Sequence, residues 1–95
     1  MSTSLDLDAD LNDVTVFVKV VDQRSFTAAG KALGLPRSTV SRRVAKLERG
    51  LGVRLLHRTT RSLQLTDLGA AYYERCSHSL ALLLEAEAIV KAAQV

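Results

Sequence analysis

The polar chemistry of this sequence is concentrated in seven consecutive residues, Arg-Ser-Thr-Val-Ser-Arg-Arg, at positions 37–43. Six of these seven side chains are guanidinium groups or short hydroxyls. Such groups bind phosphate oxygens and reach the base edges that a duplex presents in its major groove. We therefore predict that this stretch contacts double-stranded DNA in the major groove. The candidate residues are Arg37, Ser38, Thr39, Ser41 and Arg42.

The surrounding residues 25–48, SFTAAGKALGLPRSTVSRRVAKLE, predict two short helices joined by a tight turn. Ser25 is a favourable N-cap for a helix from Phe26 to Leu33, and Gly34 can take the positive φ that ends this helix. Gly30 has no side chain, as is required where two steeply crossing helices come closest. The pattern is that of a helix-turn-helix.

The second helix begins near Arg37, after Pro36, and we expect it to continue to about Arg49, where Gly50 and Gly52 stop it. One side carries an apolar stripe with i, i+4, i+7 spacing, which predicts contact with the core and leaves the polar residues outside. The stripe consists of Val40, Val44 and Leu47. Further contacts, with the DNA backbone, are expected from Ser25, Thr27 and Arg43.

A scaffold helix precedes the helix-turn-helix. After a loose tail at residues 1–10, apolar residues recur with helical spacing over about three turns, with Asn12 or Asp10 as the N-cap. These apolar residues are Leu11, Val14, Phe17, Val18 and Val21. Val16 and Val20 widen the apolar surface, so we expect this helix to be buried on more than one side.

Apolar residues on either side of a polar segment predict two short strands after the second helix. The first strand would contain Val53, Leu55 and Leu56, and the second Leu63 and Leu65. A hairpin here is a wing, and arginines and hydroxyls at its tip suit a DNA phosphate or the negative potential of a narrow minor groove. The alternative is a solvated turn. The predicted wing contacts are Arg58, Thr59, Thr60 and Arg61.

The last element is predicted to be one long helix, capped by Thr66 and running from Leu68 to about Ala93. At 1.5 Å per residue its length of ~39 Å exceeds what so small a core needs. Its broad apolar surface favours pairing with a second copy of the chain, and the alternative is packing on its own domain alone. The predicted dimerisation residues are Tyr72, Cys76, Leu80, Leu83, Ile89 and Val90.

Ninety-five residues with 47% hydrophobic content can form one small core. The predicted fold is mainly α, with a winged helix-turn-helix of three helices and a two-stranded wing at residues 11–66 and a dimerisation helix at residues 67–95. Cys76 is the only cysteine, which excludes an intramolecular disulfide and favours a reducing cytosol. We expect no signal peptide and no membrane span.

Charge is distributed unevenly along the chain. The net charge is +3, but residues 1–23 carry −4, residues 24–61 carry +9 and residues 62–95 carry −2. A basic region confined to one part of a small domain is typical of a polyanion binder. The alternative is an ordinary solvated surface.

Two other function classes remain as alternatives. An enzyme is not expected, because His57, Cys76 and His78 fit no catalytic or metal-binding spacing and no glycine-rich phosphate loop is present. We accordingly predict no metal and no cofactor. A protein interaction module that uses the long helix would keep its partner when Arg42 or Arg58 is changed to alanine, whereas a DNA-binding protein would lose affinity.

These stretches together resemble the N-terminal region of the LysR-type transcriptional regulators. The resemblance covers roughly residues 11–80, carried by residues 25–48 and by LGVRLLHRTTRSLQLTDLGAAYYERC at residues 51–76, and Glu48 also fits the family's pattern. It implies a bacterial activator or repressor that binds an interrupted palindromic operator as a homodimer, paired through a long linker helix. The residues implied to read the major groove are Arg37, Ser38, Ser41 and Arg42, and the implied wing contacts are Arg58, Thr60 and Arg61.

The sequence departs from the family at two places. The family often has Gln-Pro at Arg37 and Ser38, and since arginine prefers guanine whereas glutamine suits adenine, base preference is expected to differ there. Pro36 stands where a serine cap is common, so the second helix is expected to lack a side-chain cap.

The family also implies what lies beyond this chain. Its members continue into a two-lobed domain that binds a small-molecule inducer, and the sequence ends at Val95 before such a domain. We expect the chain to be the N-terminal part of a longer protein, without its effector-binding domain, and the alternative is a natural short form. The longer protein is expected to form a dimer or a higher oligomer. The expected location is the bacterial cytoplasm, at the nucleoid.

Overall fold

A computed structural model describes residues 7–58 and 63–94 of the chain. It contains four helices and one two-stranded antiparallel sheet in the described residues, and it confirms the predicted winged helix-turn-helix followed by a long helix. The predicted tail lies mostly outside the described residues, at positions 1–6. The elements are α1 (Leu11–Gln23), α2 (Phe26–Leu33), α3 (Arg37–Leu51), β1 (Leu56–Arg58), β2 (Leu63–Leu65) and α4 (Asp67–Ala92).

Helix α1 is the central scaffold of the domain. Of the two candidate caps, Asp10 is the one used, because its carboxylate Oδ1 accepts the Asn12 N–H at 2.7 Å. Val16 and Val20 are buried together with Phe17, as the width of the apolar surface predicted. Helices α2, α3 and α4 all pack against α1, so its burial on several sides follows directly from its place in the fold.

Helix α2 has the predicted bounds and the predicted cap, since Ser25 Oγ accepts the Ala28 N–H at 3.0 Å. Gly34 ends it with a φ of +70°. A Cβ on Gly30 would lie 2.6 Å from the carbonyl oxygen of Leu35 but 3.5 Å from Val40 Cγ2. Glycine is therefore required at this position chiefly because the turn backbone at Leu35 comes so close, and less because of the second helix.

Helix α3 begins at Arg37 after Pro36, which provides no side-chain cap, as expected. Of the two glycines predicted to stop the helix, Gly52 is confirmed as its end, whereas the stop at Gly50 was wrong. The helix continues through this residue and ends at Gly52, whose φ of +72° makes it the C-cap. The predicted core stripe is confirmed: Val40, Val44 and Leu47 are all buried.

The wing strands pair with a register in which Leu56 faces Leu65 and His57 faces Gln64. The first strand is shorter than predicted: it begins at Leu56, so Val53 and Leu55 lie before it. Leu55 is nevertheless buried, since the loop that leads into β1 passes beneath the N-terminus of α4.

Helix α4 starts where Thr66 Oγ1 accepts the Gly69 N–H at 2.9 Å. Its first half packs on α1, where the rings of Tyr72 and Phe17 lie 5.9 Å apart at 45°. The Tyr73 hydroxyl donates to Asp22 Oδ1 near the end of α1. Residues 81–94 are exposed throughout, so the second half of α4 extends away from the core.

Candidate nucleic-acid interface

The outward side of α3 carries the residues predicted to enter the major groove. Arg37, Ser38 and Arg42 are exposed, whereas Thr39 and Ser41, on the same helix, are half-buried. The opposite side of the helix is fully occupied by the core stripe. A helix with one side in the core and a polar, basic side in solvent can lie in a groove without any rearrangement of the domain.

Arg37 has a partner that no local sequence pattern indicates. Its guanidinium carbon lies 5.8 Å from the centroid of the Phe26 ring, at the start of α2. A cation at this distance over an aromatic face is attracted by the negative face of the ring. Packing against the core is thus only part of the role of Phe26, because its half-buried ring also contacts the first residue of α3.

Arg43, predicted to bind the DNA backbone, has a partner within the protein. Its Nη1 lies 3.2 Å from Oδ1 of Asp13 in α1, and Lys46 Nζ lies 3.5 Å from Oδ2 of the same carboxylate. Asp13 is buried. Two cations of α3 therefore neutralise one buried charge of α1 and fix the two helices together.

The other two predicted backbone contacts lie at the N-terminus of α2. Ser25 is half-buried and uses its hydroxyl oxygen as the cap of α2, and Thr27 is exposed. A hydroxyl that accepts a cap hydrogen bond still has its own hydrogen to donate. Both residues can thus donate to a phosphate beside this end of the helix.

The predicted wing contacts fall largely outside the described residues. Arg58 is the last residue of β1, whereas Thr59, Thr60 and Arg61 belong to the undescribed positions 59–62. Within the described strands, His57 and Gln64 are exposed and face each other across the sheet. The hairpin thus presents a polar surface next in the chain to α3.

Glu48 fixes the wing to α3. The family pattern includes this buried residue without a role, and the structure shows that its Oε2 accepts the N–H groups of Leu55 at 2.8 Å and Leu56 at 3.2 Å. A signal for it existed, since Glu48 is the only acid within the basic residues 24–61. An acid in such a segment and next to an apolar stripe indicates a buried acceptor.

Leu55 also joins the wing to α4. Its carbonyl oxygen accepts the Thr66 N–H at 3.0 Å, and a Cβ on Gly69 would lie only 2.0 Å from that oxygen. The Thr66 hydroxyl donates to the Arg54 carbonyl oxygen at 2.8 Å. The backbone at Leu55 is therefore shared by α3, the wing and α4, and we call it the Leu55 junction.

The six predicted dimerisation residues divide into two groups. Tyr72, Cys76 and Leu80 are half-buried and pack against the core of their own chain, because the first half of α4 covers α1. A role for these three in a dimer interface stays a prediction. The remaining three are exposed: Leu83 by 52%, Ile89 by 72% and Val90 by 58%. The surface left for a partner is the second half of α4.

Burial also shapes the ionisation of two of these side chains. Desolvation, followed by the effects of the neighbouring Cys76, raises the pKa of Tyr72 to about 12. Burial likewise raises the pKa of the Cys76 thiol, and a hydrogen bond with Tyr72 opposes this only in part. Cys76 is therefore a protonated, packed side chain at neutral pH and a poor nucleophile.

The described residues offer little else that could do chemistry. Within positions 7–58 and 63–94, no group of three His, Cys, Asp or Glu side chains could hold a metal ion. No helix in this part of the chain is long and apolar enough to cross a membrane.

The fold and the exposed face of α3 agree with a family comparison. The family model described as "Bacterial regulatory helix-turn-helix protein, lysR family" matches residues 11–70. The chain belongs to the lysR family. The match extends from the first residue of α1 through the wing into the first turn of α4, and it therefore includes the Leu55 junction.

Related regulators agree with this assignment. A helix-turn-helix transcriptional regulator of Xanthomonas campestris pv. campestris is 58% identical over 81 residues, which are 85% of this chain and 24% of that protein. A helix-turn-helix transcriptional repressor of Pseudomonas aeruginosa is 53% identical over 81 residues, 85% of this chain and 26% of that protein. The chain spans about a quarter of the length of these curated relatives.

Solved structures share the fold closely. The BenM DNA-binding domain, in a crystal structure with catB site 1 DNA, has a TM-score of 0.82 and 30% identity, covering 88% of this chain and 94% of that chain. Full-length AphB, a virulence activator of Vibrio cholerae, has a TM-score of 0.80 and 36% identity, covering 85% of this chain and 28% of that chain. The chain thus has the fold of a lysR-type helix-turn-helix domain.

Proposed function

We propose that the chain binds a specific duplex DNA sequence as a homodimer, with α3 in the major groove and the wing at the minor groove or backbone. The single observation that carries this proposal is the division of α3 into two sides. The residues Val40, Val44 and Leu47 are buried, while Arg37, Ser38 and Arg42 are exposed. The exposed side has no role in holding the core together.

Charge supports the same placement. Residues 24–61, the segment that contains α2, α3 and β1, carry ten of the thirteen basic residues of the chain and a net charge of +9. The ion pairs with Asp13 account for Arg43 and Lys46, which leaves Arg37, Arg42 and Arg49 as the other basic residues of α3. Arg37 and Arg42 are the two in the exposed N-terminal half of the helix that we place in the groove. The related BenM domain forms a crystalline complex with DNA, which is in accord with this placement.

The second half of α4 supports a homodimer. Large apolar residues in a region exposed on every side are unfavourable in water, and pairing with the same helix of a second copy would bury them. Leu82, Leu83 and Leu84 begin this region, and Ile89 and Val90 lie towards its end. Two-fold symmetry would then place two copies of α3 on half-sites separated by whole turns of the duplex, which makes the operator an interrupted palindrome.

Selection of bound duplexes from a random pool tests this proposal. We expect a palindromic site with two half-sites in successive major grooves on one side of the duplex. Binding to that site should fall with salt, and about six to eight phosphate contacts give a log–log slope of roughly −5 to −7. Recovery of no common sequence, or a slope near zero, would contradict DNA recognition and leave a protein interaction module built on α4.

A further inference from the structure

Phe26 and Arg37 form a contact between the two helices of the helix-turn-helix. Phe26 is the first residue of α2, and its half-buried ring packs against the core. Arg37 is the first residue of α3 and is exposed. The guanidinium carbon lies 5.8 Å from the ring centroid. The exposed Arg37 side chain is therefore in contact with a ring that is itself fixed by the core.

We propose that Phe26 is a positioning residue for Arg37 and thereby sets the base preference at one base pair of each half-site. This inference rests on the proposed function, because it concerns how the same face of α3 reads DNA. It concerns a residue outside the predicted contact set, in the helix that does not enter the groove.

The location of Arg37 explains why it needs a partner. The N-terminus of a helix carries partial positive charge, which disfavours a cation in the first turn. Pro36 adds no side-chain cap that could offset this charge. The negative face of the Phe26 ring is the compensating group that the structure provides, and it draws the guanidinium towards α2.

A ring holds an arginine without occupying its hydrogen-bond donors. The five N–H groups of a guanidinium lie in its plane, whereas an aromatic ring interacts with the cation across the face of the ring. Arg37 can therefore remain beside Phe26 and still donate two parallel hydrogen bonds. The contact also restricts a long side chain before binding, which lowers the entropy lost when those hydrogen bonds form.

The base that fits such an arginine is guanine. Guanine offers two acceptors, O6 and N7, in the major groove, whereas adenine offers N7 beside an amino donor. An arginine held in one orientation distinguishes these two edges better than one that moves freely. Loss of the ring should therefore reduce discrimination between the two bases more than it reduces overall affinity.

The experiment uses the site that the wild-type chain selects from a random pool. Selection with R37A identifies the base pair that Arg37 reads, as the position where the preference for guanine disappears. Affinity for the guanine and adenine versions of that site is then measured for wild type, F26L, F26Y, R37A and the double variant F26L/R37A. Thermal unfolding of every variant shows that each is folded.

We expect F26L to lower the guanine-to-adenine affinity ratio by about two- to five-fold, the size of an exposed cation–π contact. F26Y keeps an aromatic face and should keep most of the ratio. In the R37A background F26L should change the ratio no further. F17L is the matched control: Phe17 is the only other phenylalanine and is fully buried, so this variant should lose stability without a change in the ratio.

Three results would overturn the inference. In the first, F26L has the same guanine-to-adenine affinity ratio as wild type. In the second, F26L lowers this ratio as much in the R37A background as in wild type. In the third, F17L changes the ratio as much as F26L does. Each of them would reduce Phe26 to a packing residue. These outcomes all presuppose a wild-type chain that selects a site, whereas a wild-type chain that selects none would overturn the proposed function itself.

Discussion

Arg42 lies exposed on α3, four residues after the exposed Ser38 and so on the same side of the helix. We predict that R42A weakens binding to the selected duplex by about 1–3 kcal/mol, as expected for an arginine that contacts a base edge. Fluorescence anisotropy with a labelled duplex measures this loss. R75A is the matched control, because Arg75 is an exposed arginine on α4. Equal losses for the two variants would argue that Arg42 acts only through general charge.

Tyr72 gives the domain a pH dependence in alkaline solution. Its pKa is raised from 10.0 to about 12 in the folded chain, so the unfolded chain ionises first as the pH rises. The stabilisation is thus fully present below pH 10 and is lost as the pH rises towards 12. We predict that the free energy of unfolding, measured with urea at fixed protein concentration, falls more steeply over this range in wild type than in Y72F. Parallel curves would contradict the prediction.

At the scale of single residues, the sequence predicted side chains that act alone better than side chains that act in pairs. The caps Ser25 and Thr66 depend on neighbours within three residues, so spacing was sufficient to find them. The partners Asp13 and Arg43 lie 30 positions apart. Only the packing of α1 on α3 brings them together, and no local pattern indicates such a pair.

Among the elements, the attachment of the wing to α3 depends on one carboxylate. We predict that E48A destabilises the domain by about 2–4 kcal/mol, because it leaves the buried N–H groups of Leu55 and Leu56 without this acceptor. E48Q retains a side-chain oxygen and should lose roughly half as much. Urea unfolding followed by far-UV circular dichroism measures both. Equal stability of E48A and wild type would mean that the wing is held by its apolar contacts alone.

The attachment of α4 to the wing depends on the absence of a side chain. In G69A the new Cβ would meet the Leu55 carbonyl at 2.0 Å, so α4 must move, and we predict a loss of about 2–3 kcal/mol in the free energy of unfolding. G50A is the matched control within α3, where the nearest atom, the Asp8 carbonyl oxygen, is 3.3 Å away. Helix propensity favours alanine there, so its stability should stay within about 1 kcal/mol of wild type. A similar loss in both variants would contradict the close contact.

The bounds of the elements could be predicted where local chemistry ends them. Gly34 ends α2 as expected, whereas Gly50 lies within α3, because the actual C-cap, Gly52, is only two residues further on. The short first strand has a similar cause. Leu55 is apolar because it is buried at the junction, and an apolar pattern does not distinguish such a loop residue from a strand residue.

For the whole molecule, we predict that the double variant L83E/V90E is monomeric. Four charges across a paired helix, two from each copy, would oppose burial of this surface. Its affinity for the selected palindrome should fall by at least about 100-fold, as expected when two linked half-sites are bound separately. Sedimentation and anisotropy measure these two effects. Q94E, beyond the end of α4, is the control, and a dimeric L83E/V90E would place the interface elsewhere.

The overall architecture was largely predictable, and the division of α4 was not. Helical spacing alone placed Tyr72 and Val90 on one continuous apolar surface. Only the position of α1 shows that the former covers the chain's own core and the latter extends into solvent. Sequence periodicity predicts which face of α4 is apolar. It does not predict where the contact with α1 ends, because that depends on how the helices pack in the folded domain.

The Leu55 junction has a mechanical consequence. The peptide unit between Leu55 and Leu56 contacts both helices: its N–H donates to Glu48 of α3, and its carbonyl oxygen accepts the Thr66 N–H and lies against Gly69 of α4. A rotation of α4 would therefore be transmitted to α3 through the Leu55 junction. In a symmetric pair, a small rotation of the two α4 helices would change the orientation of both α3 helices and so the distance between them.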